Sequence, residues 1–455
     1  PMANNMKMLF NHPEQVQRTF RRCTLLSEST RLRPQYRSTS LRNAFTSYLT
    51  LAPEAVQTSL QRFKDILPMI DGNLKFAFDI KNRTSKSAKD FRKIKGVNPK
   101  IAYFSPDFAN HPVLHLMKDT FKNHDKKRFD IYGYSFGLKS KDETHFDIKK
   151  NFKSFNYIDD VSDKKVGTMC RNIGIDIAID LCGHTAENRL GVFSERVSNI
   201  QINYLGYPGT LGADFMDYII ADKHVIPRNY HHKYTEKVSY LPNCYQSNPS
   251  EDKVSDKKLT REDFKLPKDK FVFCSFNNHN KITPLIFKCW MKILNRAKES
   301  VLWLYVTNDA AKKNIISEAK NCGIDAKRVI FTENIKHSEH LKRLKLADIF
   351  LDTFPYNAHT TGSDAFRMGL PTITLQGKTF ASRVLSSILY NNNLEELITK
   401  DLKSYENLAV NLVNKKSKFQ KLKRKVNEKS KKSNLFDNIR FTRDLEKIYT
   451  NLLKT

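Results

Sequence analysis

Residues Ala347–Pro371 read ADIFLDTFPYNAHTTGSDAFRMGLP. The run IFLDTF has the length and apolar character of a buried strand, and SDAFRMG begins a helical pattern. Thr360, Thr361 and Gly362 stand at the join. In open α/β sheets, ligands bind beyond the carboxyl ends of the strands. A helix that starts there with small residues turns free N–H groups toward one spot, which suits an anion. The stretch therefore predicts a strand–loop–helix unit of a parallel sheet, with phosphate at its join. The competing reading is that a Thr or Ser simply caps the helix.

The same alternation extends in both directions. From Lys100 onward, IAYF, HPVLHLMKDTF, FDIYGYSF, KKVGTMCRNIG, IDIAIDL, ENRLGVFSERV and IQINYLG alternate strand-like and helix-like. The pattern restarts with FVFCSFN, PLIFKCWMKILNRA, VLWLYVT, AAKKNIISEAKNCG, RVIFTEN, SEHLKRLKLA, IFLDTF and TITLQG. Such alternation predicts parallel sheets covered by helices. It divides the chain into residues 1–98 (a basic helical region and linker), 99–246 (one Rossmann-like half), 247–268 (a polar linker) and 269–455 (a second Rossmann-like half with a terminal helix). Within 1–98, AFTSYLTLAPEAVQ places Ala44, Tyr48, Leu51 and Pro53 like the second helix of a tetratricopeptide repeat. That region holds no more than about two repeats of roughly 34 residues.

Composition narrows the classes. The chain has 455 residues, 40% of them hydrophobic, and a formal charge of +30. A basic balance raises nucleic-acid binding. The lysines are spread throughout, however, and no nucleic-acid-binding signature accompanies them, so no specific nucleic-acid partner is expected. Seven scattered cysteines without a CxxC pair exclude a disulfide framework and a cysteine zinc site. No run approaches the roughly 20 apolar residues of a membrane span. PMANNMKMLFNHPEQ has no apolar signal core, and the expected setting is cytoplasmic.

Three further loops carry chemistry. FNNHNKITP follows the first strand of the second half; Thr283 and Pro284 signal the start of a helix, and Lys281 precedes them as a point charge for phosphate. SPDFANHPVLHLM follows the first strand of the first half and offers His111 for proton transfer. His111 and His115 also have metal-ligand spacing, but without a third ligand they make no site. LGYPGTLGADF is a stiff Gly/Pro turn.

Together, SPDFANHPVLHLM, DLCGHT, LGYPGTLGADFMDYIIAD, FNNHNKITP, LADIFLDTFPYNAHTTGSDA and GKTFASRV resemble the catalytic region of the peptide O-linked N-acetylglucosamine transferases and the related plant O-fucosyltransferases. The resemblance runs from about Lys100 to LFDNIRFTRDLEKIY. It implies a GT-B architecture with the donor held mainly by the second half. It implies catalytic roles for His111, Lys281 and His359. Donor contacts would come from Asn278, Lys281, His359, Thr360, Thr361 and Gly362, with Asp364 near the ribose and His340 and Arg343 near the base. Pro208 and Gly209 would face sugar and acceptor. Ile335, Lys336 and His337 stand where relatives active on N-acetylglucosamine often carry Ala-Pro-Lys, and Asn280 where an aromatic can precede the lysine. Both differences bear on uracil against guanine.

The implied function is inverting transfer of N-acetylglucosamine from UDP-GlcNAc to Ser or Thr hydroxyls of polypeptides. The alternatives are O-fucosyl transfer from GDP-fucose and a non-catalytic adapter that binds nucleotide sugar. The cleft loops hold no paired carboxylates of the DxD kind, so no metal and no cofactor beyond the donor are expected.

Overall fold

The computed structural model describes residues 98–137 and 143–454. The tetratricopeptide-like segment lies outside them. The first sheet consists of β1 (Lys100–Ser105), β2 (Asp130–Ser135), β3 (Ser154–Tyr157), β4 (Ile177–Asp180), β5 (Ile200–Asn203), β6 (Tyr218–Ala221) and β7 (Lys237–Tyr240). It is covered by α1 (Pro112–Asn123), α2 (Glu143–Lys149), α3 (Asp163–Ile173) and α4 (Leu190–Ser194). All its pairings are parallel and the order is β3-β2-β1-β4-β5-β6-β7.

Burial on both faces explains the unbroken apolar strands. Successive side chains of β1 alternate between two cores. Ile101 and Tyr103 join the core on the α1 face, where Met117 and Phe121 pack. Ala102 and Phe104 join the other core with Tyr134 and Phe193.

The second sheet consists of β8 (Phe271–Ser275), β9 (Ser300–Tyr305), β10 (Val329–Thr332), β11 (Ile349–Leu351), β12 (Thr372–Leu375) and β13 (Ile398–Thr399). Its helices are α5 (Pro284–Arg296), α6 (Asp309–Asn321), α7 (His337–Leu344), α8 (Thr360–Arg367), α9 (Val384–Tyr390), α10 (Leu402–Asn414) and α11 (Lys416–Lys431), followed by α12 (Asn438–Leu452). Strand order is β10-β9-β8-β11-β12-β13, again parallel. Thr283 caps α5, its side chain accepting from Ile286 N–H, with Pro284 next.

Both sheets reverse their winding at one place, between β1 and β4 and between β8 and β11. Those are the switch points at which such sheets bind ligands. The loops SPDFANH, DLCGHT, FNNHNK and DTFPYNAH follow these four strands.

The terminal helix does not belong to the second half, as its place in the sequence suggests. Helix α12 follows the second domain in sequence but packs on the first. Tyr449 Oη lies 2.9 Å from Tyr103 Oη, and Glu446 Oε1 lies 3.0 Å from His124 Nδ1. Asn438 Nδ2 donates to the linker carbonyl of Asn248 at 2.8 Å. The chain thus crosses between domains twice. The linker is no loose tether at its start, since Ser247 and Asn248 are buried.

Candidate active site

The loop after β8 begins the site. Asn278 Oδ1 accepts from Asn280 N–H at 3.0 Å, closing the short turn that presents Lys281. Lys281 Nζ donates to Asn357 O at 3.1 Å and lies 4.0 Å from the centre of the Tyr356 ring. Burial pushes its pKa down to about 8, against the pull of the Asp352 carboxylate.

Asp352, at the end of β11, was not singled out by sequence and organises this loop. It is 1% exposed. Its Oδ1 accepts from the N–H groups of Thr353 at 2.8 Å and Ala358 at 2.7 Å. Its Oδ2 accepts from Thr374 Oγ1 at 2.6 Å. Burial raises its pKa to about 7, with those donors and Lys281 opposing. The Phe354–Pro355 peptide within the loop is cis.

His359 is the residue before α8. Its ring stacks on Tyr356 with centroids 4.9 Å apart and its Nε2 is buried with no hydrogen-bond partner among the described residues. Burial, reinforced by Lys281, holds its pKa far below the usual range, so the ring is neutral. The N–H groups of Gly362 and Ser363 return to His359 O at 3.0 and 3.1 Å. Those of Thr360 and Thr361 precede the first helical bonds and face outward, as helix geometry dictates. A Cβ at Gly362 would meet Leu385 Cδ1 at 2.8 Å, so this turn lies tightly against α9. Thr361 Oγ1 donates to Asn277 Oδ1 at 2.6 Å, while Asn277 Nδ2 donates to Thr353 Oγ1 at 2.9 Å. The Thr361 hydroxyl proton is therefore engaged, and its lone pairs and the backbone N–H remain.

His340 and Arg343 form a second pair on α7. Arg343 Nε donates to His340 Nδ1 at 3.0 Å, which puts the proton of a neutral ring on Nε2. The guanidinium also donates to Thr332 Oγ1 and Glu333 O and sits 4.8 Å above Phe276, another residue not foreseen. Burial and the adjacent Arg343 and His337 keep His340 well below its ordinary pKa.

Asp364 is buried in α8, and burial lifts its pKa to about 7. With His115, Asp252 and His337 it offers ligand atoms within 4.8 Å of one another. The partners of His115 are therefore these residues and not His111. Two cations already face the group: Lys118 Nζ is 3.1 Å from Asp252 Oδ1 and Arg367 Nε is 3.5 Å from Asp252 Oδ2. Both oppose a divalent ion there.

In the first domain, His111 precedes α1 after the β1 loop. Its Nδ1 accepts from Val113 N–H at 3.3 Å and lies 3.3 Å from Asp107 Oδ2. One nitrogen cannot accept from the first and donate to the second, so the two contacts belong to different protonation states. Burial lowers its pKa. Pro208 and Gly209 lie in the loop after β5, where burial first and then the nearby Tyr356 of the second domain push the Tyr207 hydroxyl above its ordinary pKa.

The structure thus gathers Asn278, Lys281, His359, Thr360, Thr361 and Gly362 at one switch point. His340 and Arg343 stand apart on α7, Asp364 faces the linker, and His111, Pro208 and Gly209 belong to the opposite domain. A half-buried lysine in the loop beside a helix N-terminus favours an anion with at least two charges.

The sequence family described as glycosyl transferase family 41 matches residues 78–248 and 246–445. A protein of Arabidopsis thaliana named "Probable UDP-N-acetylglucosamine--peptide N-acetylglucosaminyltransferase SEC" is 35% identical over 356 residues, covering 77% of this chain and 36% of that protein. The Solanum lycopersicum protein of the same description, SPINDLY, is 31% identical over 362 residues, covering 77% of this chain and 38% of that one. The chain thus spans well under half the length of these curated relatives. A mutant of the Thermobaculum terrenum O-GlcNAc transferase superposes with a TM-score of 0.78 at 24% identity, over 96% of this chain and 81% of that one. Anabaena Alr3699/HepE, solved with UDP and glucose, gives a TM-score of 0.53 at 10% identity, over 78% of this chain and all of that one.

Proposed function

The chain belongs to glycosyl transferase family 41 and has the GT-B fold, and from that premise we propose that it is an inverting glycosyltransferase that moves N-acetylglucosamine from UDP-GlcNAc to Ser or Thr hydroxyls of polypeptides. The observation that carries this reading is the placement of Lys281, bonded to Asn357 O, against the loop that leads into the first turn of α8 at the β8–β11 switch point. The acceptor oxygen attacks the anomeric carbon from the first-domain side, and the bond to the β-phosphate oxygen breaks on the other side. Negative charge grows on the leaving diphosphate, where Lys281 and the N–H groups of Thr360 and Thr361 stabilise it. His111, kept neutral by burial, is the first-domain candidate to receive the hydroxyl proton.

The names of the curated relatives support UDP-GlcNAc as donor. His340, presenting a fixed Nε2–H, and Arg343 are proposed to frame the nucleobase, and Asp364 the ribose. No metal takes part in this proposal, and its setting is the cytoplasm. The test is thermal shift against a nucleotide panel, since preferential binding to the folded state raises the melting temperature. UDP is expected to give the largest shift. A larger shift with GDP moves the donor to GDP-fucose, and no shift with any nucleoside diphosphate refutes the transferase reading. Binding of UDP without turnover of UDP-GlcNAc marks an adapter.

A further inference from the structure

The loop between β5 and β6 is fixed more firmly than a connection requires. Strands β6 and β7 begin where β5 ends, with Ile202 level with Tyr218 and Tyr218 level with Lys237. Residue 236, just before β7, is therefore level with Gln201 of β5, one strand removed, and within side-chain reach of Asn203 at the end of that strand. There Glu236, 3% exposed, holds the loop. Its Oε1 accepts from Leu211 N–H at 2.7 Å and from Asn203 Nδ2 at 3.2 Å. Its Oε2 accepts from Thr210 Oγ1 at 2.6 Å and Thr235 Oγ1 at 3.1 Å. Asn203 Nδ2 also donates to Gly209 O at 2.9 Å, and His184 Nε2 lies 2.9 Å from Leu211 O.

The other end of the loop admits no shift. Leu205 has φ 65°, a conformation costly for a side-chain-bearing residue. A Cβ at Gly206 would lie 1.9 Å from Leu181 O, so the loop backbone rests directly on the segment after β4. Tyr207 is packed edge-on against His184 at 5.3 Å, near enough to Tyr356, the ring beneath Lys281, that Tyr356 adds to burial in raising the pKa of its hydroxyl. A buried carboxylate accepting four hydrogen bonds, three of them from the loop and its anchor Asn203, is an expensive device unless the position of the loop matters.

Resting on the transferase reading above, we propose that Glu236 is the positioning residue of the acceptor side: it fixes the Tyr207–Gly212 loop at the height where an acceptor hydroxyl meets the sugar. Glu236 touches neither donor nor acceptor. It acts through Thr210, Leu211 and Gly209. A misplacement of about 1 Å at such a wall costs up to about a hundredfold in rate, while the nucleotide, held by the second domain, is bound as before.

The test uses the full chain and its E236A and E236Q variants. Calorimetry gives the affinity for UDP, and steady-state kinetics give kcat for turnover of UDP-GlcNAc. E236A is expected to lose at least about tenfold in kcat with UDP affinity unchanged within about twofold. E236Q retains an acceptor oxygen for Leu211 and Asn203, and its amide can donate to the threonine hydroxyls, so its kcat should stay within about threefold of the parent. T210V, which removes the 2.6 Å bond to Glu236 together with the contacts of the same hydroxyl to Gly212 N–H and Thr235, should lower kcat by about threefold or more; it stands in if E236A does not fold. Unchanged kcat in E236A or T210V overturns the proposal. So does equal loss of UDP affinity and kcat, or E236Q as impaired as E236A. A parent chain that binds no nucleoside diphosphate overturns the transferase reading and this inference with it, and is recognised before any variant is made.

Discussion

Lys281→Met separates the two consequences of holding a lysine charge half out of water. The substitution keeps a long side chain over Tyr356 and removes the charge. A phosphate oxygen about 4 Å from Nζ, at an effective dielectric constant of about 20, interacts with it by about 4 kcal/mol. Losing that contact weakens UDP binding by about three orders of magnitude. The unliganded fold moves the other way. Displacement of the lysine pKa from 10.5 to about 8 corresponds to about 3 kcal/mol spent on holding the charged form. Lys281 is half-buried rather than sealed, and the variant also loses the bond to Asn357 O and the contact with the Tyr356 ring. We therefore expect a net gain of about 1 kcal/mol, or a melting temperature roughly 2 °C higher. The sign with pH follows from proton binding. Between about pH 8 and 10.5 the unfolded chain holds a proton that folded Lys281 has lost, so the contribution of this group to stability rises with pH across that window in the parent and not in the variant. UDP affinity in the parent, by contrast, falls as pH climbs above about 8. Calorimetric titration with UDP and melting curves from pH 7 to 10 check both. A variant that binds UDP within tenfold of the parent, or that melts several degrees lower, refutes the reasoning.

Asp352→Asn keeps the shape of the carboxyl group and one oxygen to accept from the N–H groups of Thr353 and Ala358. Because the folded carboxyl titrates near 7 and the unfolded one near 4, the parent loses stability from this group as pH rises from about 4 to 7, and the variant does not; melting curves at pH 5 and 7.5 read the difference. His111→Ala should lower kcat for transfer to protein acceptors by about a hundredfold while UDP affinity stays within twofold, and an equal loss of both would mark His111 as structural. Turnover should survive excess EDTA; complete loss restored by magnesium, manganese or zinc would place a metal among His115, Asp252, His337 and Asp364.

The strand–loop–helix units were legible because each puts a period of two or an apolar run before a helical period, with capping residues between. Thr283 and Pro284 announced α5 outright. Strands β3 and β13 escaped because they are short, and β3 is only partly buried. Strands β6 and β7 were hidden by neighbouring turn residues. The placement of Lys281 and Thr360–Thr361 at strand ends was legible because each belongs to a local motif. The role of Asp352 was not, since it reads as an ordinary strand-end carboxylate until Ala358 and Thr374 fold back onto it. Glu236 and the meeting of His115 with Asp364 depend on contacts across tens to hundreds of residues, which no spacing encodes. FTRDLEKIYTNLL reads as a terminal helix, but nothing in its sequence says which domain α12 packs against.

The docking of α12 on the first domain also orders events during synthesis. Residues 271–431 contain every strand of the second sheet and can complete it as a unit once they have emerged. The first domain is made earlier yet finished later. The hydroxyl of Tyr103 waits for a partner 346 positions further along the chain, and His124 waits for Glu446. Until that segment arrives, the α1 face carries an uncovered apolar strip with polar groups intended for burial. A chain cut short before residue 438 would therefore present a nearly complete pair of domains whose first member stays open on one side. Quality-control factors would meet that exposed strip even though every loop of the site had already been translated.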